Sequence, residues 1–166
     1  ASGSHTVDET LGNNPSELAR IKDNLMTLME SDEFVIDSIA VTSSASPEGS
    51  KAFNDRLSKR RSEGISEYFS RWMSHKQDSI ERERGFMVDE DGDVIVEKRR
   101  EIPMLGRSSG ENWRMLDRLV ERDTMMTIEQ KEFYFESEKM TDIDRRERSL
   151  QSLTCYRHMR ESLYPR

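Results

Sequence analysis

Arg61 stands where an arginine is hardest to keep. At about 100° per residue, Phe53, Leu57, Gly64, Ile65, Tyr68, Phe69 and Trp72 fall on one arc of a helix. Arg61 projects within roughly 20° of the middle of that arc, whereas Arg56, Lys59, Arg60 and Arg71 point elsewhere. A guanidinium on a buried face needs an anionic partner, because an unpaired buried charge is costly. Two partners fit: a carboxylate ligand, held in bidentate fashion, or an internal ion pair with Glu48 or Asp37. Asn54 shares the arc and is expected to brace the preceding loop by hydrogen bonding to its backbone. That loop, residues 43–49, holds Ser46, Pro47, Glu48 and Gly49. Backbone N–H groups near Gly49 and at the helix start are suited to an anion.

Other groups with chemical potential come to less. Asp89-Glu90-Asp91-Gly92-Asp93 resembles a calcium loop in composition only. Such a loop needs its Gly at the sixth position and a Glu at the twelfth, so a hairpin turn is the expectation. Cys155 and His158 share a helix face, but two residues do not make a metal site, and no metal or other cofactor is expected. The sequence has no nucleophile motif, phosphate-binding loop or dinucleotide fingerprint, so we expect no catalytic residues and no enzyme.

The elements that must position Arg61 follow from pattern. Val35, Ile39 and Val41 alternate as a half-buried strand over residues 34–42. The central helix follows the loop and ends near Met73, with residues 75–83 a charged connector. Ahead of the strand, Leu18, Ile21, Leu25, Leu28 and Met29 predict a helix over 15–30, with Asn14 as cap and Pro15 at its first position. After the central helix, residues 86–88 and 94–96 read as a hairpin around the two-residue turn Asp91-Gly92. Residues 104–110 read as loop. Three helices close the chain: 111–122, one capped by Thr127 with Gln130 completing a capping box, and 143–163 capped by Asp142.

At 166 residues the chain is long enough for a real core. Charged residues (36%) outnumber hydrophobic ones (33%), so several helices must be solvated on one side. A net charge of −7 argues against general nucleic-acid binding, which needs a basic surface. The single Cys155 excludes an internal disulfide framework. No run of apolar residues is long enough to span a bilayer, so any export signal or membrane part is expected outside these residues.

The same residues carry a resemblance. Ser-Ala-Ser-Pro-Glu-Gly-Ser (44–50), Asn54, Leu57-Ser58, Arg60-Arg61 and Tyr68-Phe69 are similar to the core motif of the OmpA C-terminal-like domain family. That family includes peptidoglycan-associated lipoproteins and the periplasmic part of MotB-type stators. Its usual pattern is a strand ending in Gly-His-Thr-Asp, a Gly, then Asn-x-x-Leu-Ser-x-Arg-Arg-Ala. The Ala-Ser-Pro-Glu-Gly version resembles a branch of anaerobic Gram-negative bacteria. That branch also has an Asn-x-x-Glu-Leu-x-Arg-Ile helix, here 14–21; a Gly-Glu-Asp-Trp, here Gly110-Glu111-Asn112-Trp113; and Arg-Glu, Tyr and Tyr-Pro, here Arg146-Glu147, Tyr156 and Tyr164-Pro165.

The resemblance covers residues 14–73 and 110–166, in the same order. It implies an α+β, βαβ-type fold with a small sheet against several helices and additional C-terminal helices. Residues 1–13 would be a flexible segment and 14–166 the domain, with its first and last strands not visible in the sequence. It further implies a non-catalytic periplasmic domain that binds a diaminopimelate-containing peptidoglycan stem peptide and links an outer-membrane protein to the cell wall. Arg61 would bind the diaminopimelate carboxylate, with Ser46, Glu48, Gly49 and Asn54 around it. Ser46 is a departure: the family usually has Asp there to accept from the ligand's ammonium group. Glu48 could lend the missing charge. An interaction module that keeps the fold without the glycan is the rival reading, and whether copies associate is left open.

Overall fold

A computed structural model describes residues 6–31, 33, 35–47, 49–84, 87–88, 94–95 and 101–153. Over these the protein is α+β. Its elements are α1 (Asn14–Met29), β1 (Ile39–Ala45), α2 (Lys51–Arg84), β2 (Met87–Val88), β3 (Val94–Ile95), β4 (Met104–Glu111), α3 (Trp113–Arg122), α4 (Ile128–Glu136) and α5 (Ile143–Leu150), with a 3-10 turn at Ser137–Lys139. They form two compact units. One comprises Thr42–Arg61 and the residues from Ser108 onward; the other comprises Thr6–Val41 and Ser62–Arg107. The division falls inside β1, α2 and β4, so each of these elements contributes to both.

β1 pairs with β4, and β2 with β3. Ile39 N–H donates to the Pro103 carbonyl at 2.9 Å, and Asn112 N–H donates to the Ala45 carbonyl at 2.8 Å. Residue numbers rise together along both strands, so the pair is parallel. The first bond sets residue 39 opposite 104; the second sets 45 opposite 111. β4 therefore carries one residue more than β1 between the two bonds, a bulge of a kind rare in parallel pairs. Gly110, at φ +68°, is the residue of β4 in the left-handed region, and we place the bulge there. The strand 104–111 replaces the expected loop: its Gly and Ser content reads as a turn in isolation, yet those small side chains are what let a helix lie close above it.

α2 is that helix. Asn54, Leu57, Ser58, Ser62, Ser66, Phe69 and Met73 are buried along it. Compared with the expected arc, the buried face is turned by roughly 80°, a little less than one residue step. Phe53 is exposed, and Arg61, Ile65, Tyr68 and Trp72 are half-buried. The reason is the surface beneath. A Cβ on Gly106 would lie 3.3 Å from Ser62 Oγ and 3.5 Å from Ser66 Oγ, an approach that only a row of small residues at i, i+4 and i+8 permits. α2 also runs to Arg84 rather than ending near Met73, because residues 65–84 contain neither Gly nor Pro to stop it. The strand, by contrast, begins at Ile39, and Val35 before it is exposed.

The caps expected on α4 and α5 form, and α3 has one at Asn112 that the sequence reading did not name. Thr127 and Gln130 form a reciprocal capping box on α4, Asp142 accepts from Arg145 N–H on α5, and Asn112 accepts from Met115 N–H on α3. α1 starts one residue earlier than expected, with Asn13 at the cap and Asn14 donating from its side chain to the Asp8 carbonyl at 2.7 Å. α5 ends at Leu150, and residues 154–163 of the helix expected there lie outside the described residues. Leu116, Val120, Met126, Tyr134 and Leu150 make the core of the unit that holds these helices, with Trp113, Leu119, Phe135 and Leu153 packed around it.

In the hairpin, Met87 pairs with Ile95 and Val88 with Val94. The turn itself lies outside the described residues, as do Glu48, Cys155, Tyr156, His158 and Tyr164-Pro165.

Candidate functional site

Arg61, Ser46, Gly49 and Asn54 all belong to the same compact unit. The loop between β1 and α2 begins with half-buried Ser46 and buried Pro47. Gly49 is exposed at φ +92°, with nothing within 4 Å of the position a Cβ would take. Its backbone, not crowding, is what requires glycine there.

Arg61 is half-buried, and its Nη1 donates to the Ser44 carbonyl at 3.1 Å. That carbonyl lies in β1, two positions ahead of Ser46. The rotation of α2 accounts for this: the serines take the buried face, and Arg61 moves to its flank, where its guanidinium reaches the strand end. Ser58, one turn earlier, fixes the same strands. Its Oγ lies 2.5 Å from Ser108 Oγ, Ser43 Oγ donates to the Ser58 carbonyl, and Ser109 Oγ donates to the Ser43 carbonyl at 3.1 Å.

Asn54 does not brace the loop backbone as expected. It is 1% exposed, and its Nδ2 donates to Glu111 Oε1 at 2.7 Å. The other oxygen of that carboxylate accepts from Trp113 Nε1 at 2.8 Å. Glu111 thus ties α2 to the first residue of α3. The Trp113 ring in turn lies 4.0 Å from the Arg146 guanidinium carbon, a cation–π contact. Arg146 is buried, donates from Nε to Ser137 Oγ at 3.1 Å, and has Asp117 and Glu138 carboxylates at 3.7 and 3.6 Å. Asp117 also accepts from Tyr134 OH at 2.8 Å. Glu111, Trp113 and Arg146 entered the sequence reading only as residues of the resemblance, with no role assigned, whereas Asn54 was marked by its polarity on the expected apolar arc.

The start of α2 is already engaged. Lys51 N–H donates to Asp144 Oδ1 at 2.7 Å, so a carboxylate from α5 caps α2 from outside its own chain segment. Nothing in the sequence near Asp144 marks this role, and the residue lies in the first turn of its own helix. Lys51 Nζ sits 2.5 Å from Asp55 Oδ2, and that hydrogen bond raises the Lys51 pKa from its ordinary value. A Cβ on Gly110 would lie 3.0 Å from Asp55 Oδ1, so the bulge glycine also leaves room for this acid.

Chemically the arrangement offers recognition: a positioned guanidinium, a glycine-containing loop and a capped helix start. Among the described residues no helix is long and apolar enough to cross a membrane. Comparison with protein-family models, with curated proteins and with solved structures gives no match.

Proposed function

We propose that this domain is a non-catalytic, OmpA C-terminal-like module that binds the carboxylate of a peptidoglycan stem peptide at Arg61 and so links an outer-membrane partner to the cell wall in the periplasm. The observation that carries the reading is the position of Arg61, half-buried and tied through Nη1 to the Ser44 carbonyl beside the Ser46–Gly49 loop. A guanidinium fixed by a backbone acceptor is pre-set for a planar carboxylate, with less freedom to lose on binding. The α+β fold and the order β1, loop, α2 agree with the resemblance from which the ligand comes.

A pull-down with insoluble peptidoglycan tests this, with diaminopimelate as competitor. Arg61→Ala should lower retention by about tenfold or more, since a hydrogen bond to a charged group is worth roughly 1.5–3 kcal/mol. Arg60→Ala, on the exposed side of α2, should change little. Equal losses would point to general electrostatics.

One observation favours a second reading, an interaction module without the glycan. Asp144 takes the Lys51 N–H at the start of α2, where an external carboxylate would otherwise gain from the helix end. Wild-type protein that stays in the supernatant, with no displacement by diaminopimelate, would select this reading.

A further inference from the structure

α3 and α4 each turn a strongly charged face to solvent, and the two faces are opposite in sign. On α3, Arg114, Arg118 and Arg122 recur at i, i+4 and i+8, and all three are exposed. Their backbone positions span about 12 Å along the helix. Among the described residues, none of the three guanidinium groups has a hydrogen bond or ion pair. Asp117, which could have offset them, faces Tyr134 and Arg146 instead. Glu121 is the one acid at the edge of the stripe, and its carbonyl accepts from Lys131 Nζ.

On α4, Glu129, Glu132 and Glu136 recur at i, i+3 and i+7, again all exposed, and span about 10.5 Å. Glu136 has a single partner in the neighbouring Lys139, an exposed pair of the kind that contributes little and is readily exchanged. Between and beside the two faces lie large apolar side chains left in water. Met125 and Ile128, in and just after the turn joining α3 to α4, are 77% and 74% exposed, and Met115 and Phe133 are exposed as well. Asp123 holds that turn by accepting from both Met125 and Met126 N–H.

We infer that the chain associates with a second copy of itself, the arginine face of α3 on one copy meeting the glutamate face of α4 on the other. The two stripes are opposite in sign and nearly equal in length, so the guanidinium groups of one copy find carboxylates at commensurate spacing on the next. A two-fold axis makes the contact twice, which closes the pair and covers apolar surface beside each charged stripe. The inference is independent of wall binding, because none of its residues touches Arg61 or the Ser46–Gly49 loop in sequence or in the contacts described.

Sedimentation of the intact chain over a range of concentrations, at low and high salt, tests it. The expected result is a monomer–dimer equilibrium that weakens as salt rises. Arg118→Glu and Glu132→Arg should each weaken association by about tenfold or more, because like charges then oppose each other across the interface. An equimolar mixture of the two variants should regain association, since each supplies the sign the other lacks. Circular dichroism establishes that both variants fold; if either does not, Arg118→Gln and Glu132→Gln replace them, with weakened association again expected. Wild-type protein that remains monomeric at hundreds of micromolar in low salt overturns the inference. So does association that no charge change alters, or variants that fail to recombine.

Discussion

At the scale of single residues, Glu111 joins two helices through one carboxylate. Both of its carboxylate oxygens are used, one by buried Asn54 and one by the Trp113 indole. Glu111→Ala would strand both donors, and an unsatisfied buried donor costs about 1–3 kcal/mol. Glu111→Gln keeps one acceptor oxygen and should lose distinctly less. Urea unfolding of the three proteins measures the difference, and equal midpoints for wild type and Glu111→Ala would remove Glu111 from this role. The sequence made Arg61 visible because its charge broke an apolar pattern. It did not make Glu111 or Asp144 visible, because an acid near a helix start is ordinary, and its partner is set by tertiary structure rather than by neighbours in the chain. Asn54 was found for the right reason, polarity on a buried face, but its acceptor came from β4.

At the scale of elements, the caps at Thr127 and Asp142 were legible because a local interaction decides them, whereas the cap of α1 falls on Asn13 instead of Asn14 and that of α3, Asn112, was not read. Thr127, Asp142 and Asn112 each cap the helix that follows. Thr127→Ala should cost about 1 kcal/mol, the usual loss for an N-cap hydroxyl, and thermal melting would show it as a lower Tm. The same turn has a pH dependence. Hydrogen bonds, first from its own backbone N–H and then from the Thr127 hydroxyl, hold the Glu129 carboxyl below its ordinary value. A depressed carboxyl contributes stability that is present above its unfolded pKa and lost as pH falls through the folded one. The Thr127→Ala difference should therefore shrink on acidification through about pH 4; a difference constant from pH 7 to pH 3 would contradict the coupling. Where packing decides, the pattern misled. α2 offers both an apolar arc and a row of small polar residues, and only the strands beneath it, with Ser43, Gly106 and Ser108, select the small row. β4 itself lacks the β-branched residues that usually mark a strand, so its parallel pairing with β1 was out of reach of propensity.

For the whole molecule, charge is the legible property. With a net charge of −7 and a pI of about 5.1, copies repel one another at neutral pH, and that repulsion falls as the pI is approached. Light scattering should show stronger attraction at pH 6 than at pH 8, and a solubility minimum near pH 5. Attraction that weakened from pH 8 to pH 6 would count against a net-charge origin. Composition also announced helices solvated on one side, whereas the division into two units that share β1, α2 and β4 left no mark in composition, since no Pro- or Gly-rich linker separates them. The bond from Lys51 N–H to Asp144 has a further consequence, for the order in which the chain folds. Its partners lie 93 residues apart. The first turn of α2 has a local acceptor in Ser50, whose carbonyl takes the Phe53 and Asn54 N–H groups, but the Lys51 N–H gains Asp144 only when a segment made much later has arrived. The N-terminal turn of α2 is therefore completed by one of the most sequence-distant hydrogen bonds in the chain, after its local bonds have formed.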